Sequence, residues 1–408
     1  MNQHIFIEYF GIAQGEIISP KVENETISEL PKSIEDVINV NSENKKREHK
    51  KYYDIKEMAN IEMDKDDKTQ ITQLAGNYNA ISYLPQVIGV KIGMIFNLNP
   101  YYSAMLGRIF GFITTISIFA FGIYKLPNHK LFATIVLLSP VVLSYAASIS
   151  ADNMTLACIF MLISYIMHFI QTKKKIKIYE YVILSILAGV VAILKTAYLP
   201  IIGILLLIPV ECFKNKKHKW IIIILLLIFG IALSLLWMKI CNINVTEGNQ
   251  ETTNAWIYSK PLVYLTVLFR TTAQNIYSFA ENMFAGYYLC HNQVNPYSIV
   301  PLSYIIITIC AFFKDKYKEN ISIWQKIIVT GIIFVVYALI CTAMYIYNTE
   351  YKASVIIGVQ GRYLLPILML VIFFGNCKKV EIKENRLVNI ALIANYAVYL
   401  TMFTKFFI

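Results

Sequence analysis

Long uninterrupted runs of apolar residues constrain the fold of this chain more than any other feature. A helix needs roughly 20 apolar residues to cross a membrane, because each residue rises about 1.5 Å and the hydrocarbon core is about 30 Å thick. About ten windows meet this criterion. They lie near residues 101–124, 130–149, 152–171, 178–194, 197–213, 219–241, 296–313, 325–347, 359–376 and 387–407. Since lipid offers backbone amides no partner, these runs predict helices and an all-α integral membrane protein.

The distribution of Lys and Arg between the windows predicts the orientation of the chain. Alternate connections, YKLPNHK, TKKKIK, FKNKKHK, KDKYKENISIWQK and KKVEIKENR, carry two, four, four, four and four of these residues, eighteen in all. The opposite set holds Lys195, Lys260, Arg270, Lys352 and, at a helix entrance, Arg362. Basic residues of short loops stay in the cytoplasm, so the first set is predicted to be cytoplasmic. The net charge of +11 is then mainly an orientation signal, and we expect no nucleic-acid partner.

This orientation divides the chain into four segments. They are an extracytoplasmic region with an interfacial helix (1–100), a first bundle of about six helices (101–241), an extracytoplasmic loop with an amphipathic helix (242–295) and a second bundle of about four helices (296–408). In the first segment, the charged stretch 35–68 predicts a solvated loop or a loose helix. The apolar stretch 77–100, interrupted by Pro85, predicts an interfacial or re-entrant helix with Tyr83 at the level of the headgroups.

Unusual polar side chains gather at the predicted outer ends of the runs. They are Arg108, Asp152, Lys195, Gln360 and Arg362. A proton-coupled transporter usually carries acidic or histidine relays at mid-depth, which these runs lack. Lys195 and Arg362 either snorkel to the headgroups or bind a phosphate or diphosphate, for which the arginine fork is suited. Arg108 lies about two turns inside its helix, where an arginine generally faces protein or a wet cavity.

Two carboxylates near the predicted outer face are candidates for catalysis. Asp152 precedes an apolar run, so it either caps that helix or serves as a base, a metal ligand or an acceptor for sugar hydroxyls. Glu8 is the second candidate, and the alternative is that it is an ordinary surface glutamate without a role in catalysis. The sequence contains no CxxC, HExxH or GxxxxGK[ST] pattern, so zinc and P-loop chemistry have no support.

Six motifs occur in an order that carries a family resemblance. They are HIFIEYFGIAQGEIISP, NYNAISYLPQVIGVKIG, YYSAMLGRIFG, LSPVVLSYAASISADNMTL, LKTAYLPI and QGRYLLPI. In these six motifs and in their order, the chain resembles a family of bacterial polytopic membrane proteins, the domain-of-unknown-function family numbered 2142. That family itself resembles the GT-C glycosyltransferases. The resemblance implies a multi-pass enzyme of the bacterial plasma membrane that uses a polyprenyl-phosphate-linked sugar at the outer face, in the assembly of cell-surface polysaccharide or glycolipid. The implied partners are this donor, membrane lipids and a glycan or lipid acceptor. The resemblance implies no cofactor, and the use of a divalent metal ion is left as an alternative.

The resemblance also assigns roles to individual residues. In the family, a first helix and an acidic pair precede the histidine that matches His4, so we expect both to lie upstream of Met1 and this chain to be inactive without them. The upstream acid would be the base, with Asp152 or Glu8 as substitutes. The residues expected to hold the phosphate are Arg108, Lys195 and Arg362, and those expected to contact sugar are Gln360, Tyr363, Asn77 and Gln86. A flippase or exporter of a lipid-linked glycan and a non-catalytic assembly partner are the alternatives.

Overall fold

A computed structural model describes residues 10, 13, 21–22, 25–46, 55–73, 80–148, 150–240, 248–284, 288–289, 292–293, 299–314, 321–375 and 384–407. These residues are mostly helical and belong to two compact units. Unit 1 comprises Met1–Ile118, Leu143–Thr155 and Tyr399–Ile408, and unit 2 comprises Phe119–Val142 and Leu156–Val398. The units cross the boundaries of the four segments predicted above.

Unit 1 contains a small antiparallel sheet with the order β1–β2–β3. Its strands are β1 (Lys21–Val22), β2 (Glu25–Pro31) and β3 (Lys68–Gln73), and the helices α1 (Lys32–Lys46) and α2 (Ile55–Ala59) connect the last two. Pairing between β2 and β3 runs from Thr26 opposite Gln73 to Pro31 opposite Lys68.

For α1, the prediction of a solvated loop or loose helix over residues 35–68 was wrong, because this helix packs into a core, whereas residues 60–67 form a mostly exposed irregular segment as predicted. Apolar side chains recur at helical spacing at the start of α1, where Ile34, Val37 and Ile38 are buried. They share one hydrophobic core with Leu30 of β2 and Met58 of α2. Burying this face stabilises the sheet and its helices together, in spite of the many surrounding charges.

A tightly packed helix pair completes this core. A 3₁₀ turn, η1 (Ala80–Tyr83), leads into α3 (Leu84–Ile95), and α4 (Pro100–Lys125) runs back beside it. Glycines let the two backbones touch, because a Cβ atom on Gly89 would lie 2.6 Å from the Leu106 carbonyl oxygen. Tyr83 is completely buried in this core, so its side chain does not contact lipid, and its expected depth at the level of the headgroups stays a prediction.

Polar contacts fasten the sheet region to the helix pair. The Lys65 ammonium donates hydrogen bonds to the Met94 carbonyl oxygen (2.8 Å) and to Asn97 Oδ1 (2.5 Å). The Asn99 amide donates to the Ala59 carbonyl oxygen, while its Oδ1 accepts from the backbone N–H of Tyr102 and caps α4. The sheet region therefore lies at the N-terminal end of α4.

The remaining helices follow in chain order. They are α5 (Lys130–Leu137), α6 (Pro140–Ala146), α7 (Asp152–Thr172), α8 (Ile178–Leu194), α9 (Lys216–Ile240), α10 (Gly248–Ser259), α11 (Pro261–Phe284), α12 (Ile299–Lys314), α13 (Ile323–Asn348), α14 (Leu365–Leu370) and α15 (Glu384–Phe407). The 3₁₀ helices η2 (Thr196–Leu207), η3 (Val210–Cys212), η4 (Gly361–Leu364) and η5 (Val371–Phe374) interrupt them, and β4 (Tyr288–Leu289) pairs with β5 (Asn292–Gln293). The run near 130–149 is two helices, because Pro140 starts α6 rather than kinking one longer helix.

Four helices of the described part are long and apolar enough to cross a membrane: α4, α7, α9 and α13. Shorter apolar helices occupy Ala80–Ile95, Ile178–Leu194, Thr196–Leu207, Ile299–Lys314 and Gly361–Phe374. The chain is thus a helical membrane protein, and the described residues also contain the short strands named above.

The helix η2 is an unusually long 3₁₀ segment, with 12 residues where runs beyond three or four are uncommon. Pro200 lies inside it. In an α-helix the ring of Pro200 would collide with the carbonyl of Thr196 four residues earlier, which disfavours α winding in this turn.

Candidate functional site

In unit 2, two cationic side chains flank one aromatic ring. The ammonium nitrogen of Lys195 lies 5.3 Å from the centroid of the Tyr363 ring, and the guanidinium carbon of Arg362 lies 5.1 Å from the same centroid. Both distances allow cation–π attraction. Arg362 also donates a hydrogen bond of 3.3 Å from an η nitrogen to the Tyr363 hydroxyl. Two of the predicted phosphate-binding residues and one predicted sugar contact therefore lie together, and we call these three residues the Tyr363 site.

Backbone geometry brings Lys195 to this place. The residue has extended dihedral angles (φ −150°, ψ 120°) at the junction between α8 and η2. One turn later, the hydroxyl of the buried Tyr198 donates a hydrogen bond of 2.9 Å to the Tyr363 carbonyl oxygen. The hydroxyl thus ties the start of η2 to the turn that carries Arg362.

A glycine allows that turn, η4, to pack directly against the backbone of α11. Gly361 is buried, and a Cβ atom there would lie 2.8 Å from both the Asn282 carbonyl carbon and the Met283 backbone nitrogen. No larger residue fits without moving the backbone of η4 or of α11. Gln360 precedes the turn with an exposed side chain, and its carbonyl accepts a hydrogen bond of 3.0 Å from the Tyr363 N–H.

The segment that leads into the turn is also anchored. The buried backbone N–H of Ile356 donates to Thr271 Oγ1 of α11 at 3.0 Å, and the Ile357 N–H donates to Thr349 Oγ1 at the same distance. Gly358 has a positive φ of 90°, a backbone conformation that glycine adopts without strain. These contacts fix the path of the chain from α13 to Arg362.

Two hydrogen bonds between side chains join α11 to α13. The hydroxyls of Tyr264 and Thr342 lie 2.8 Å apart, and those of Thr272 and Tyr337 lie 2.6 Å apart. Burial raises the pKa of Tyr264 to about 12, although its hydrogen bond with Thr342 opposes the rise. The Tyr264 hydroxyl therefore stays protonated near neutral pH.

The predicted residues of unit 1 have a different arrangement. Arg108 is half-buried, and its Nε donates a hydrogen bond of 2.8 Å to the Ala147 carbonyl oxygen just after α6. The Ser150 hydroxyl accepts a hydrogen bond of 3.1 Å from the Asp152 backbone N–H, so Ser150 supplies a cap at the start of α7. Asp152 lies in the first turn, where the helix dipole favours a carboxylate. Arg108 thus holds the segment that positions Asp152, and its phosphate role stays a prediction.

Gln86 lies between α3 and α4. Its side chain is completely buried, and a Cβ atom on Gly111 would lie 2.8 Å from its Cγ. Among the residues that the structure describes, neither atom of its amide group has a hydrogen-bonding partner. A contact between Gln86 and a sugar would require the two helices to separate here.

Glu8 and Asn77 lie outside the described residues. The described ranges hold no group of three His, Cys, Asp or Glu residues that could bind a metal ion.

Comparison with known families identifies the chain. Residues 3–371 match the family described as "Predicted membrane protein (DUF2142)". The chain belongs to this family. The family expected from the six ordered motifs is therefore confirmed. Neither the curated proteins nor the solved structures compared with this DUF2142 protein contain a match.

Three further residues shape the sites of this DUF2142 protein. Tyr198 and Gly361 position the Tyr363 site, and Ser150 caps the helix of Asp152. The sequence offers a signal for each, since Tyr198 and Gly361 belong to the motifs LKTAYLPI and QGRYLLPI and Ser150 has a side chain typical of an N-cap. Only the fold reveals which atoms they contact.

Proposed function

We propose that the chain is a membrane glycosyltransferase-like protein that binds a polyprenyl-phosphate-linked sugar at the outer face of the bacterial plasma membrane, in the assembly of cell-surface polysaccharide or glycolipid. The observation that carries this proposal is the approach of Lys195 and Arg362 to the Tyr363 ring. A lysine supplies a compact positive charge, and an arginine supplies a planar fork that matches two phosphate oxygens. Together they suit a lipid phosphate better than a neutral ligand.

Their place in the chain supports the same proposal. Lys195 lies between α8 and η2, and Arg362 lies in η4 at the start of an apolar segment. Charges at helix ends meet the membrane–water boundary, where the phosphate of a polyprenyl lipid lies while its chain remains in the hydrocarbon. The exposed Gln360 side chain and the Tyr363 hydroxyl are then available for sugar hydroxyls.

The proposed reaction needs little more than positioned charges. An acceptor hydroxyl attacks the anomeric carbon, a carboxylate takes the hydroxyl proton, and the bond from that carbon to the lipid phosphate oxygen breaks. Lys195 and Arg362 stabilise the negative charge of the departing phosphate. The carboxylate in the base role stays a prediction, for which the candidates are Asp152, in unit 1, and Glu8, outside the described residues.

A GT-C-like bundle of about ten spans is part of the proposal. Winding as a 3₁₀ helix lengthens a short segment, because each residue rises about 2.0 Å instead of 1.5 Å. The 12 residues of η2 then cover about 24 Å, most of a hydrocarbon core of about 30 Å. Short apolar segments of this kind support more crossings than the four long helices alone.

Binding and transfer are tested separately. The purified full chain is titrated with radiolabelled polyprenyl phosphate, and membranes are assayed for transfer from polyprenyl-phosphate-linked sugars. We expect Lys195→Gln and Arg362→Gln each to weaken binding about tenfold, the loss of one charge-assisted contact. The matched control is Lys352→Gln, which removes an exposed charge next to Tyr351 rather than Tyr363.

The outcomes separate the alternatives. Equal binding by the parent and by Arg362→Gln contradicts the phosphate assignment. Binding and transbilayer movement of the lipid without transfer favours a flippase or exporter, and binding without either favours an assembly partner.

A further inference from the structure

Two lysine-rich loops of unit 2 form one surface. The first connects α7 to α8, and the second connects η3 to α9. The backbone N–H of Ile176 in the first loop donates a hydrogen bond of 3.0 Å to the carbonyl oxygen of Cys212, the last residue of η3 before the second loop. The buried Cys212 thiol also donates to the Phe169 carbonyl oxygen near the end of α7, at 3.6 Å. The two loops are therefore held together at their bases.

Exposed ammonium groups cover these joined loops. Seven lysines are exposed in these loops and in the first turn of α9, and we call them the lysine patch: Lys173, Lys174, Lys175, Lys177, Lys214, Lys216 and Lys217. Two carboxylates belong to the same loops and helix ends. Glu211 is exposed, and Glu180 is buried in an ion pair with Lys125, so the surface is strongly positive.

Apolar and aromatic side chains border the lysine patch on the helices that leave it. Ile178 is 85% exposed and Tyr179 54% exposed at the start of α8, and Trp220 is 43% exposed in the first turns of α9. The ammonium groups of Lys177 and Lys219 lie 5.9 Å and 5.4 Å from the rings of Tyr179 and Trp220. Exposed aromatic rings beside cations are typical of the boundary between hydrocarbon and headgroups.

We propose that the lysine patch binds the headgroups of anionic phospholipids in the leaflet that these loops face. The bordering apolar side chains place the ammonium groups at the depth of lipid phosphates, and the joined loops present them on one surface. Clusters of four to eight basic residues next to a membrane helix bind anionic headgroups through the summed attraction of their charges. This surface is separate from the Tyr363 site, and the inference does not depend on the transferase proposal.

Binding of short-chain lipids to the full chain tests this inference. The protein in neutral detergent is titrated with dioctanoyl phosphatidylglycerol and with the phosphatidylcholine of the same chain length, and both the shift of the unfolding temperature and the dissociation constant are measured. Phosphatidylglycerol is expected to raise the unfolding temperature more than phosphatidylcholine does, because a ligand of the folded state stabilises it. Added salt is expected to reduce the difference.

Variants assign the binding to the lysine patch. One carries Lys174→Gln and Lys175→Gln, and a second carries Lys214→Gln, Lys216→Gln and Lys217→Gln. A third, which we call the complete variant, combines these five changes and keeps Lys173 and Lys177. Each partial variant is expected to weaken binding of phosphatidylglycerol severalfold and the complete variant at least about tenfold. The matched control carries Lys239→Gln and Lys260→Gln, of which Lys239 is exposed at the opposite end of α9.

The outcomes are decisive in either direction. Unchanged affinity in the complete variant, or an equal loss in the control, overturns the proposal. If the complete variant does not fold, the two partial variants decide by the same criterion. Inorganic phosphate is added as a competitor, and displacement of the lipid at matched concentrations would show a site for soluble anions instead.

Discussion

The Tyr198 hydroxyl donates a hydrogen bond of 2.9 Å to the Tyr363 carbonyl oxygen, across a sequence separation of 165 residues. Both ends of this bond lie beside a cation, because Lys195 is three residues before Tyr198 and Arg362 is next to Tyr363. This buried hydroxyl therefore joins the two segments that carry the Tyr363 site. A ligand that binds both cations would make use of this connection.

Removal of that hydroxyl tests the connection. We expect Tyr198→Phe to lower the free energy of unfolding by about 1 to 3 kcal/mol, because the Tyr363 carbonyl loses a buried donor. Binding of polyprenyl phosphate should also weaken, since Lys195 and Arg362 lose their fixed relation. Denaturation by sodium dodecyl sulfate in mixed micelles measures the first effect, and lipid titration measures the second.

Tyr258→Phe is the control for this substitution, since Tyr258 is 84% exposed. It should leave both measurements unchanged. Normal lipid binding by Tyr198→Phe would show that the hydroxyl stabilises the fold without positioning the cations.

The close contact at Gly361 predicts a second effect. Gly361→Ala places a methyl group against the α11 backbone, so η4 must shift and carry Arg362 with it. Overpacking of this kind costs about 1 to 3 kcal/mol. Gly331→Ala is the matched control, because a Cβ there meets no atom within 4 Å and alanine favours the interior of α13. Stability equal to that of the parent, with intact lipid binding, would contradict the placement of Arg362.

The crossing of α3 and α4 predicts a third effect, in unit 1. A methyl group on Gly89 would lie 2.6 Å from the Leu106 carbonyl oxygen and 2.8 Å from the Gly107 Cα, and both are backbone atoms that cannot rotate away. We expect Gly89→Ala to lower the free energy of unfolding by about 1 to 3 kcal/mol in mixed micelles. Gly331→Ala serves again as the control, and an equal response of the two variants would show that the helices do not touch at Gly89.

Charge sidedness singled out Lys195 and Arg362 in the sequence, because each lies in the set of connections with few basic residues, and their roles stay predictions. Their common contact with Tyr363 was not predictable in detail. A hydrogen bond across 165 residues depends on how distant helices pack, and hydropathy along the chain contains no such information. The motifs LKTAYLPI and QGRYLLPI contain the two segments that meet at Tyr363, but they do not indicate which atoms make contact.

Other features were not predicted from the sequence, and the reason is different for each segment. The apolar run at η2 has the composition of an α-helix, and only Pro200 indicated different winding. Strand β2 shows only weak alternation of apolar and polar residues, so it gave no clear strand signal, and the charges of residues 35–68 determined the interpretation of this region. The glycine pairs 89/93 and 107/111 have the four-residue spacing of close helix packing, a signal that could have placed Gln86 between two helices.

The ion pair between Lys125 and Glu180 gives the last prediction. Their charged atoms lie 3.2 Å apart, and the side chains are only 14% and 7% exposed. The Lys125 ammonium also lies 4.6 Å from the centroid of the Tyr165 ring, and Glu180 Oε2 accepts a hydrogen bond of 3.0 Å from the Lys177 N–H at the start of α8. The pair therefore ties the ends of α4 and α8 together.

Glu180→Gln keeps the shape of the side chain but leaves the Lys125 charge buried without its carboxylate. We expect the free energy of unfolding in mixed micelles to fall by about 3 to 5 kcal/mol. The double variant Lys125→Met with Glu180→Gln should recover much of the loss, because the buried charge is then gone. Glu211→Gln, at an exposed carboxylate, should change stability by no more than about 0.5 kcal/mol. If Glu180→Gln is as mild as Glu211→Gln, the Lys125 ammonium must reach water, and the pair is not the buried tie described here.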